Sequence, residues 1–352
     1  MSRLIFELLS EAVQKKVFSC ASYAVGTADA LLERGDIGTL GIGRGPAERG
    51  TLYDLASVTK PLVALAFMRL MERGRVCLDD TVGDFLPAYR QSDKANITMR
   101  ELLTHTSVLH GGVQLYRSCH TREDFLEAIR FLPARKNDTV EYSSQGMIVL
   151  GCVLEAIEQK PLDQIMQTEL FDPLGMNNTL YNPPAALRDR IASTEDCPWR
   201  GRVLIGEVHD ENAAVLGGVC AHAGLFSDAE DLTRVAQMML TGRTPDGMRF
   251  LHDATRALMT QNHTRGMNLA RGLGWQLKDK AASPAGDLLS ENAYGHTGFT
   301  GTSIWMDPAR DMFAVLLTNR VHPTREGEGI AHVRHVFHNL SVLSVEDYQA
   351  EK

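Results

Sequence analysis

A serine and a lysine near the N-terminus have a spacing that suits acyl transfer. They belong to Ser57-Val58-Thr59-Lys60, at the start of an apolar helical pattern. A spacing of three places the hydroxyl and the amine one turn apart on the same face of a helix. A serine becomes a good nucleophile when a neighbouring base removes its proton, and a lysine can be that base when its amine is neutral. The segment therefore predicts a nucleophile and its base. The structural alternative is that Ser57 only caps the helix while Lys60 is solvated.

Tyr142 lies in a second segment, which directly precedes another apolar helical pattern. A tyrosine hydroxyl can pass a proton to a leaving group, and Ser144 in the same segment can hydrogen-bond a substrate. The structural alternative is a core tyrosine beside a helix cap. Tyr142 and Ser144 are therefore predicted to be site residues only in combination with the other segments.

A third segment, residues 294–301, places His296 and Thr297 among glycines and leads into a predicted strand. Glycine allows a close approach to the backbone, so a ligand could reach this segment. Main-chain N–H groups of a strand that faces a cleft can donate to a developing oxyanion. The alternative is a glycine-rich entry to a strand with a surface histidine.

Periodicity indicates the elements that must position these segments. A capping box is predicted at Ser227 and Glu230, where a helix begins. An amphipathic helix is predicted within residues 1–18. Further helices are predicted over 57–74, 122–131, 144–159, 162–170, 227–240 and 327–343, and strands over 19–25, 30–32, 273–277, 302–306 and 312–318. Helices and strands at both ends, with helices between, predict an α+β fold. An antiparallel sheet flanked by helices from both chain ends would use about residues 1–60 and 265–352, with a mainly helical lobe over 61–264 inserted.

Composition excludes several classes of protein. The chain has 352 residues and a formal net charge of −8, without the basic excess of a nucleic-acid binder. No segment approaches the roughly 20 apolar residues of a membrane helix, and charged residues interrupt the N-terminal apolar stripe, so we expect a cytoplasmic protein that binds no membrane.

Six cysteines without a C-x-x-C pair predict reduced packing residues. Three histidines on the last helix lack an acidic or cysteine partner, which predicts a solvated face and no metal: His332, His335 and His338.

Together and in this order, the three segments resemble the serine β-lactamase and penicillin-binding-protein superfamily, whose S-x-x-K, Y-x-N or S-x-N, and K-T-G elements line one cleft. The similarity covers nearly the whole chain. The branches that it suggests are class C β-lactamases, serine D-stereospecific peptidases and family VIII carboxylesterases. The supporting phrases are L-A-S-V-T-K-P (55–61), E-L-L-T-H-T-S (101–107), L-F-D-P-L-G-M (170–176), H-A-G-L-F-S (222–227), W-M-D-P (305–308) and L-L-T-N-R (316–320).

The resemblance implies an acyl-enzyme mechanism that needs no metal or organic cofactor. Ser57 would be the nucleophile, Lys60 its base and Tyr142 the proton donor to the leaving group. The main-chain N–H groups of Ser57 and Phe299 would form the oxyanion hole. The substrate-binding residues that it implies are Ser144, His296, Thr297, Gly298, Phe299 and Asn319, the last near the far end of the substrate.

Two positions depart from the family pattern. Ser144 stands where the family has asparagine, so an amide that would hold a β-lactam carbonyl is missing and we expect weak antibiotic hydrolysis. His296 stands where K-T-G has lysine. Because histidine is only partly charged near neutral pH, we expect weakened carboxylate recognition that declines further as the pH rises.

We therefore expect a serine hydrolase of small esters, amides or peptides with D-residues, and rank this above a low-activity β-lactamase or penicillin-binding protein. A different class of hypothesis is a non-catalytic binding or structural module on the same fold. The presence of Ser57, Lys60 and Tyr142 together argues against such a module. A protein that only binds a ligand does not need a nucleophile, a base and a proton donor at once. The only partner expected is a small-molecule ester, amide or peptide substrate.

Overall fold

The computed structural model describes residues 2–136, 138–279 and 283–351. The strands are β1 (Cys20–Gly26), β2 (Leu31–Gly38), β3 (Tyr53–Asp54), β4 (Leu180–Tyr181), β5 (Asp196–Cys197), β6 (Arg202–Val203), β7 (Leu225–Ser227), β8 (Gln276–Leu277), β9 (Tyr294–Thr297), β10 (Ser303–Asp307) and β11 (Met312–Thr318). The α-helices are α1 (Ser2–Gln14), α2 (Thr59–Glu72), α3 (Val82–Phe85), α4 (Met99–Thr104), α5 (Arg122–Phe131), α6 (Ser144–Glu158), α7 (Leu162–Met166), α8 (Asp172–Leu174), α9 (Glu211–Val215), α10 (Ala229–Thr241), α11 (Asp253–Thr260) and α12 (Ile330–Ala350).

Both ends of the chain contribute strands to one antiparallel sheet. Its order is β2-β1-β11-β10-β9-β8. In register, Tyr23 of β1 lies opposite Leu316 of β11 and Gly35 of β2. The turn at residues 308–311 joins β10 and β11 into a hairpin. The predicted α+β architecture, with a sheet assembled from both chain ends, is confirmed.

Helices cover both faces of this sheet. On one face, α1 and α12 share a core with alternate residues of the strands, which include Ile5, Leu9, Tyr23, Trp305 and Phe337. On the other face, α10 contacts β1, β10 and β11, although it falls in the range predicted for the helical lobe. Because both faces are covered, β11 is a continuous apolar run and not an alternating one. The boundaries of the two lobes stay a prediction.

Helix α2 crosses the core. Nearly all of its residues are buried, and a helix that is apolar on every side belongs in a core. It begins at Thr59, because a 3-10 turn over Ala56–Val58 precedes it. Gly74, with a φ of 69°, adopts the left-handed conformation just beyond its end.

Some local predictions are wrong. Asp228, and not Ser227, caps α10: its carboxylate accepts a hydrogen bond from the N–H of Asp231 at 2.8 Å. The hydroxyl of Ser227 instead contacts that of Thr179 at 2.7 Å. Residues 294–297 form strand β9, paired with β10, so the alternative in which this segment is only an entry to a strand is wrong. His338 is fully buried, so the last helix does not present three solvated histidines.

All six cysteines are free thiols. Four of them are buried, Cys152 is half-buried and Cys77 is exposed. Within the described ranges, no helix combines the length and the apolar character that crossing a bilayer requires.

Candidate active site

Ser57 and Lys60 contact each other at the start of α2. The amine of Lys60 donates to Ser57 Oγ at 3.0 Å. Lys60 is only 1% exposed, whereas Ser57 is half-buried and lines a cleft. Among the described residues, no side chain caps the start of α2, so the alternative in which Ser57 only caps the helix is wrong. The predicted contact between the two side chains is confirmed.

The backbone immediately before Ser57 is held in an unusual conformation. Ala56 has a φ of 46°, in the left-handed region that residues with a Cβ rarely adopt. Its N–H donates to one oxygen of the buried Asp54 carboxylate at 2.8 Å. The other oxygen accepts from the N–H of His209 at 2.6 Å. Asp54 therefore fixes the direction in which the chain enters the Ser57 turn.

Two threonines tie the segment after β9 to the backbone before Ser57. Thr300 Oγ1 donates to the carbonyl of Asp54 at 2.7 Å, and Thr302 Oγ1 donates to that of Leu55 at 2.9 Å. A Cβ atom on Gly298 would lie 2.4 Å from the carbonyl oxygen of Leu55. Glycine is needed here because the protein's own backbone approaches closely, which corrects the expectation that it makes room for a ligand.

These contacts place Phe299 on the same cleft wall as Ser57. The N–H of Phe299 donates to no acceptor within the described ranges, so it is available to an oxyanion. Its side chain is 49% exposed and stacks on His209 at 5.7 Å between centroids. Arg320 Nε donates to its carbonyl at 2.6 Å and so fixes the orientation of this peptide unit.

Tyr142 lies beside the lysine. The amine of Lys60 is 4.7 Å from the centroid of the Tyr142 ring. The rings of His105 and His296 pack against it, with centroids 4.7 and 6.0 Å away. The Tyr142 hydroxyl is buried without a hydrogen-bond partner among the residues that the structure describes. A buried hydroxyl in this state can exchange a proton with a bound substrate.

His296 is neutral near pH 7. Burial, reinforced by the charges of Lys60 and Arg271, lowers the pKa of His296 to about 3. In the neutral ring, Nδ1 donates to the carbonyl of Thr297 at 2.8 Å, which leaves Nε2 as a buried acceptor without a described partner. His296 therefore does not supply the partial positive charge predicted from the sequence, and its proposed role as a titrating carboxylate reader is corrected.

Three arginines bring positive charge to the cleft, and of these only Arg320 lies in a phrase quoted from the sequence: Arg271, Arg320 and Arg334. Arg271 is 7% exposed, and its Nε is buried without a described partner. Arg334 donates to the carbonyls of Gly298 and Thr302, and burial lowers the pKa of Arg334 to about 9. None of the three pairs with a carboxylate of the described residues. A buried cation without a counter-ion is costly, so this wall favours an anionic ligand.

Two predicted substrate-binding residues are not brought to the cleft wall. Ser144 is half-buried in the first turn of α6. The Asn319 carbonyl oxygen accepts from the N–H groups of Ser19 and Cys20 at 3.1 and 3.0 Å. Its NH₂ group donates to Ser19 Oγ at 2.8 Å and to the carbonyl of Ser193 at 2.9 Å. These four bonds satisfy the amide, so Asn319 ties the end of β11 to the start of β1.

The cleft has a volume of about 410 Å³. Its wall consists of Ser57, Tyr142, Arg271, Gln276, His296, Thr297, Gly298, Phe299, Arg320, Ile330 and Arg334. No group of three metal-binding side chains occurs within the described part of the chain. The arrangement can accept a small anionic molecule and present Ser57 to its carbonyl carbon.

Comparison with known proteins agrees with this fold. The chain is 31% identical over 311 residues to a Salmonella enteritidis PT4 protein provisionally named D-alanyl-D-alanine carboxypeptidase, covering 78% of this chain and 71% of that one. It is 32% identical over 304 residues to the N-acetylmuramyl-L-alanine amidase of Bacillus subtilis, covering 77% and 68%. The fold matches that of EstCE1, a hydrolase with promiscuous acyltransferase activity, with a TM-score of 0.79, 23% identity and 97% coverage of both chains. The family model described as Beta-lactamase matches residues 6–338, and the chain therefore belongs to that family.

Proposed function

We propose that the protein is a serine hydrolase that cleaves an amide bond, through an acyl-enzyme on Ser57, in a small substrate that carries a carboxylate. The observation that carries this proposal is the Ser57–Lys60 contact of 3.0 Å on a cleft wall with unpaired arginines. The contact suits nucleophilic attack, and the arginines suit a negative group on the substrate.

The reaction begins when the neutral amine of Lys60 takes the hydroxyl proton of Ser57 as Oγ bonds to the substrate carbonyl carbon. The N–H groups of Ser57 and Phe299 stabilise the oxyanion that forms. Tyr142 transfers a proton to the leaving nitrogen as the carbon–nitrogen bond breaks, and the proton held by Lys60 restores the Tyr142 hydroxyl. Water then attacks the acyl-enzyme and restores the Ser57 hydroxyl.

The charge on the cleft wall favours a substrate that carries a carboxylate, and the names of the two relatives favour an amide as the bond that is cleaved. A neutral ester has no group for Arg271 or Arg334, whereas the two curated relatives are named for cleaving a bond to the nitrogen of an alanine. Position 144 is a serine where the family has an asparagine that would hold a β-lactam carbonyl. Hydrolysis of β-lactams is therefore less favoured than hydrolysis of an open-chain amide.

The test compares substrates that differ only in a terminal carboxylate. Acetyl-D-alanyl-D-alanine and N-acetylmuramyl-L-alanine would each be assayed against its C-terminal amide. We expect at least a tenfold higher kcat/KM for one of the acids than for its amide, a preference of the size that one charged contact supports. Arg271→Gln should remove most of this preference. Arg69→Gln is the matched control, since Arg69 is a largely buried arginine paired with Glu169 away from the cleft.

Equal cleavage of an acid and its amide would contradict the carboxylate part of the proposal. Turnover that survives Ser57→Ala would contradict the acyl-enzyme. No turnover of any ester, amide or peptide by the wild type would favour the binding module.

A further inference from the structure

The amine of Lys60 has a second hydrogen-bond acceptor besides Ser57. It donates to the main-chain carbonyl of His222 at 2.9 Å, so two contacts from different parts of the chain define where the amine points. The carbonyl lies in the segment before β7, far from α2 in sequence. Any group that holds His222 in place therefore also orients the amine of Lys60.

Asp210 is the group that holds His222. The ring of His222 is completely buried, and its Nε2 lies 3.0 Å from Asp210 Oδ1. The same oxygen accepts from the N–H of Ala213 at 2.8 Å and caps α9. Burial raises the pKa of Asp210, but the effects of His222 and Lys60 lower it by more. The pKa therefore lies below its usual range, and the carboxylate is ionised near pH 7.

The other titratable groups around Lys60 do not supply a negative charge. Burial holds the pKa of His105 well below its usual range and lowers that of His296 to about 3, so both rings are neutral near pH 7. Tyr142 presents its ring to the amine. The carboxylate of Asp210 interacts electrostatically with Lys60. Because the Asp210 side chain is 36% exposed, water screens part of this interaction.

We propose that Asp210 and His222 form a positioning pair for Lys60. The His222 carbonyl aims the amine at Ser57, and the Asp210 carboxylate supplies the counter-charge for the ammonium formed when the amine takes the Ser57 proton. This inference rests on the proposed function, in which Lys60 is the base. It adds two residues that do not touch the substrate and act only through Lys60.

The test measures how fast Ser57 reacts with a fluorophosphonate at each pH, because this reaction needs the nucleophile and its base but no substrate carboxylate. In the wild type, the rate should rise with pH to a plateau. In Asp210→Asn, the amine loses a nearby negative charge, so we expect the midpoint of the profile to move to lower pH by about one unit. The plateau rate should fall by about threefold or more, since a weaker base accepts the proton less readily.

Asparagine caps a helix as well as aspartate does, so Asp210→Asn removes the charge and keeps the cap. Asp228→Asn is the matched control, since Asp228 caps α10 in the same way and is not in the site. Its profile should match the wild type. The pH titration of the Lys60 ¹³Cε signal should show the same acidic shift for Asp210→Asn in the resting protein.

An unchanged midpoint in Asp210→Asn, or a move to higher pH, would overturn the positioning pair even if the plateau rate falls. A wild type that is not labelled at Ser57 at any pH would overturn the proposed function. A labelled wild type whose midpoint Asp210→Asn does not change would overturn only the pair.

Discussion

Among the lysines that the structure describes, two are almost completely buried, and they differ in what their amines contact. Lys60 and Lys94 are each 1% exposed. The amine of Lys94 pairs with the Asp93 carboxylate at 2.6 Å, whereas that of Lys60 contacts the Ser57 hydroxyl at 3.0 Å. We expect Lys60→Ala to lower kcat/KM by about 10² to 10⁴, because a positioned base is lost. Lys94→Ala should keep near wild-type kcat/KM.

Steady-state kinetics on folded samples, with circular dichroism as the check on folding, would measure both variants. Equal loss of activity in the two would mean that removal of any buried lysine disturbs the protein, and the base assignment would fall. Near wild-type activity in Lys60→Ala would have the same consequence.

Because His296 is neutral, the expected pH dependence of carboxylate binding differs from the one predicted from the sequence. Its pKa of about 3 leaves the ring uncharged throughout the neutral range, so it cannot change carboxylate binding there. We expect KM for an acid substrate to stay constant between about pH 6 and 8. It should then rise as the pH passes about 9, where Arg334 begins to lose its charge. The C-terminal amide of the same substrate should lack this rise. A KM for the acid that increases steadily from about pH 6 would restore His296 as the carboxylate reader.

The sequence was sufficient to predict Ser57, Lys60 and Tyr142 as candidate residues, because each lies in a short motif whose spacing has a chemical meaning. It could not predict the arginine wall. Arg271 and Arg334 come from distant segments, and an arginine in a helix is normally solvated. Asn319 was misassigned because a motif fixes a position in the chain and leaves the direction of the side chain open.

At the scale of single elements, helix α10 is capped by a different residue from the one predicted: Asp228 is the observed cap, and Ser227 was the predicted one. Asp228 is buried and accepts hydrogen bonds from the N–H of Asp231 and from Asn178 Nδ2, both at 2.8 Å. We expect Asp228→Ala to lower the free energy of unfolding by about 1–2 kcal/mol, because both donors lose their acceptor. Glu230→Ala should cost less than about 1 kcal/mol, since it removes exposed ion pairs.

Urea denaturation of the two variants would measure these differences. A Glu230→Ala loss as large as that of Asp228→Ala would favour the capping box predicted at Ser227 and contradict the observed cap.

Elements with a strong period are predicted well, and those that depend on a partner are not. The predicted bounds of α5 and β11 match the structure, because each has an apolar pattern that contacts elsewhere do not alter. Strand β9 contains Gly295 and lacks branched apolar residues, so its extended form depends on pairing with β10. The 3-10 turn before α2 was missed because Asp54 and Thr302 stabilise it from other parts of the chain.

At the scale of the whole molecule, buried neutral histidines predict sensitivity to acid. His338 is fully buried between α12 and the sheet, and burial lowers the pKa of His338 to about 3. An unfolded histidine takes up its proton at about pH 6.5, so the unfolded chain binds protons first as the pH falls. The stability that His338 contributes is therefore complete above about pH 6.5 and is lost toward pH 3, with a loss of about 2 kcal/mol at pH 5.

Thermal unfolding between about pH 7.5 and 5 would measure this loss. His338→Gln, which cannot titrate, should lose less stability over this range than the wild type, while the exposed His332→Gln should behave as the wild type does. Asp231, whose pKa burial raises to about 6, stabilises the fold as the pH falls, but it acts equally in all three proteins. Identical slopes for His338→Gln and the wild type would contradict the neutral state of the buried ring.

The central claim is that Ser57 forms a covalent bond to its substrate, and the mass of the intact chain tests it most directly. After incubation of the native protein with a fluorophosphonate, mass spectrometry should show one adduct per chain, and peptide mapping should place it on Ser57. Ser57→Ala should show none. A native wild type without an adduct, or an adduct of equal yield in Ser57→Ala, would contradict the account.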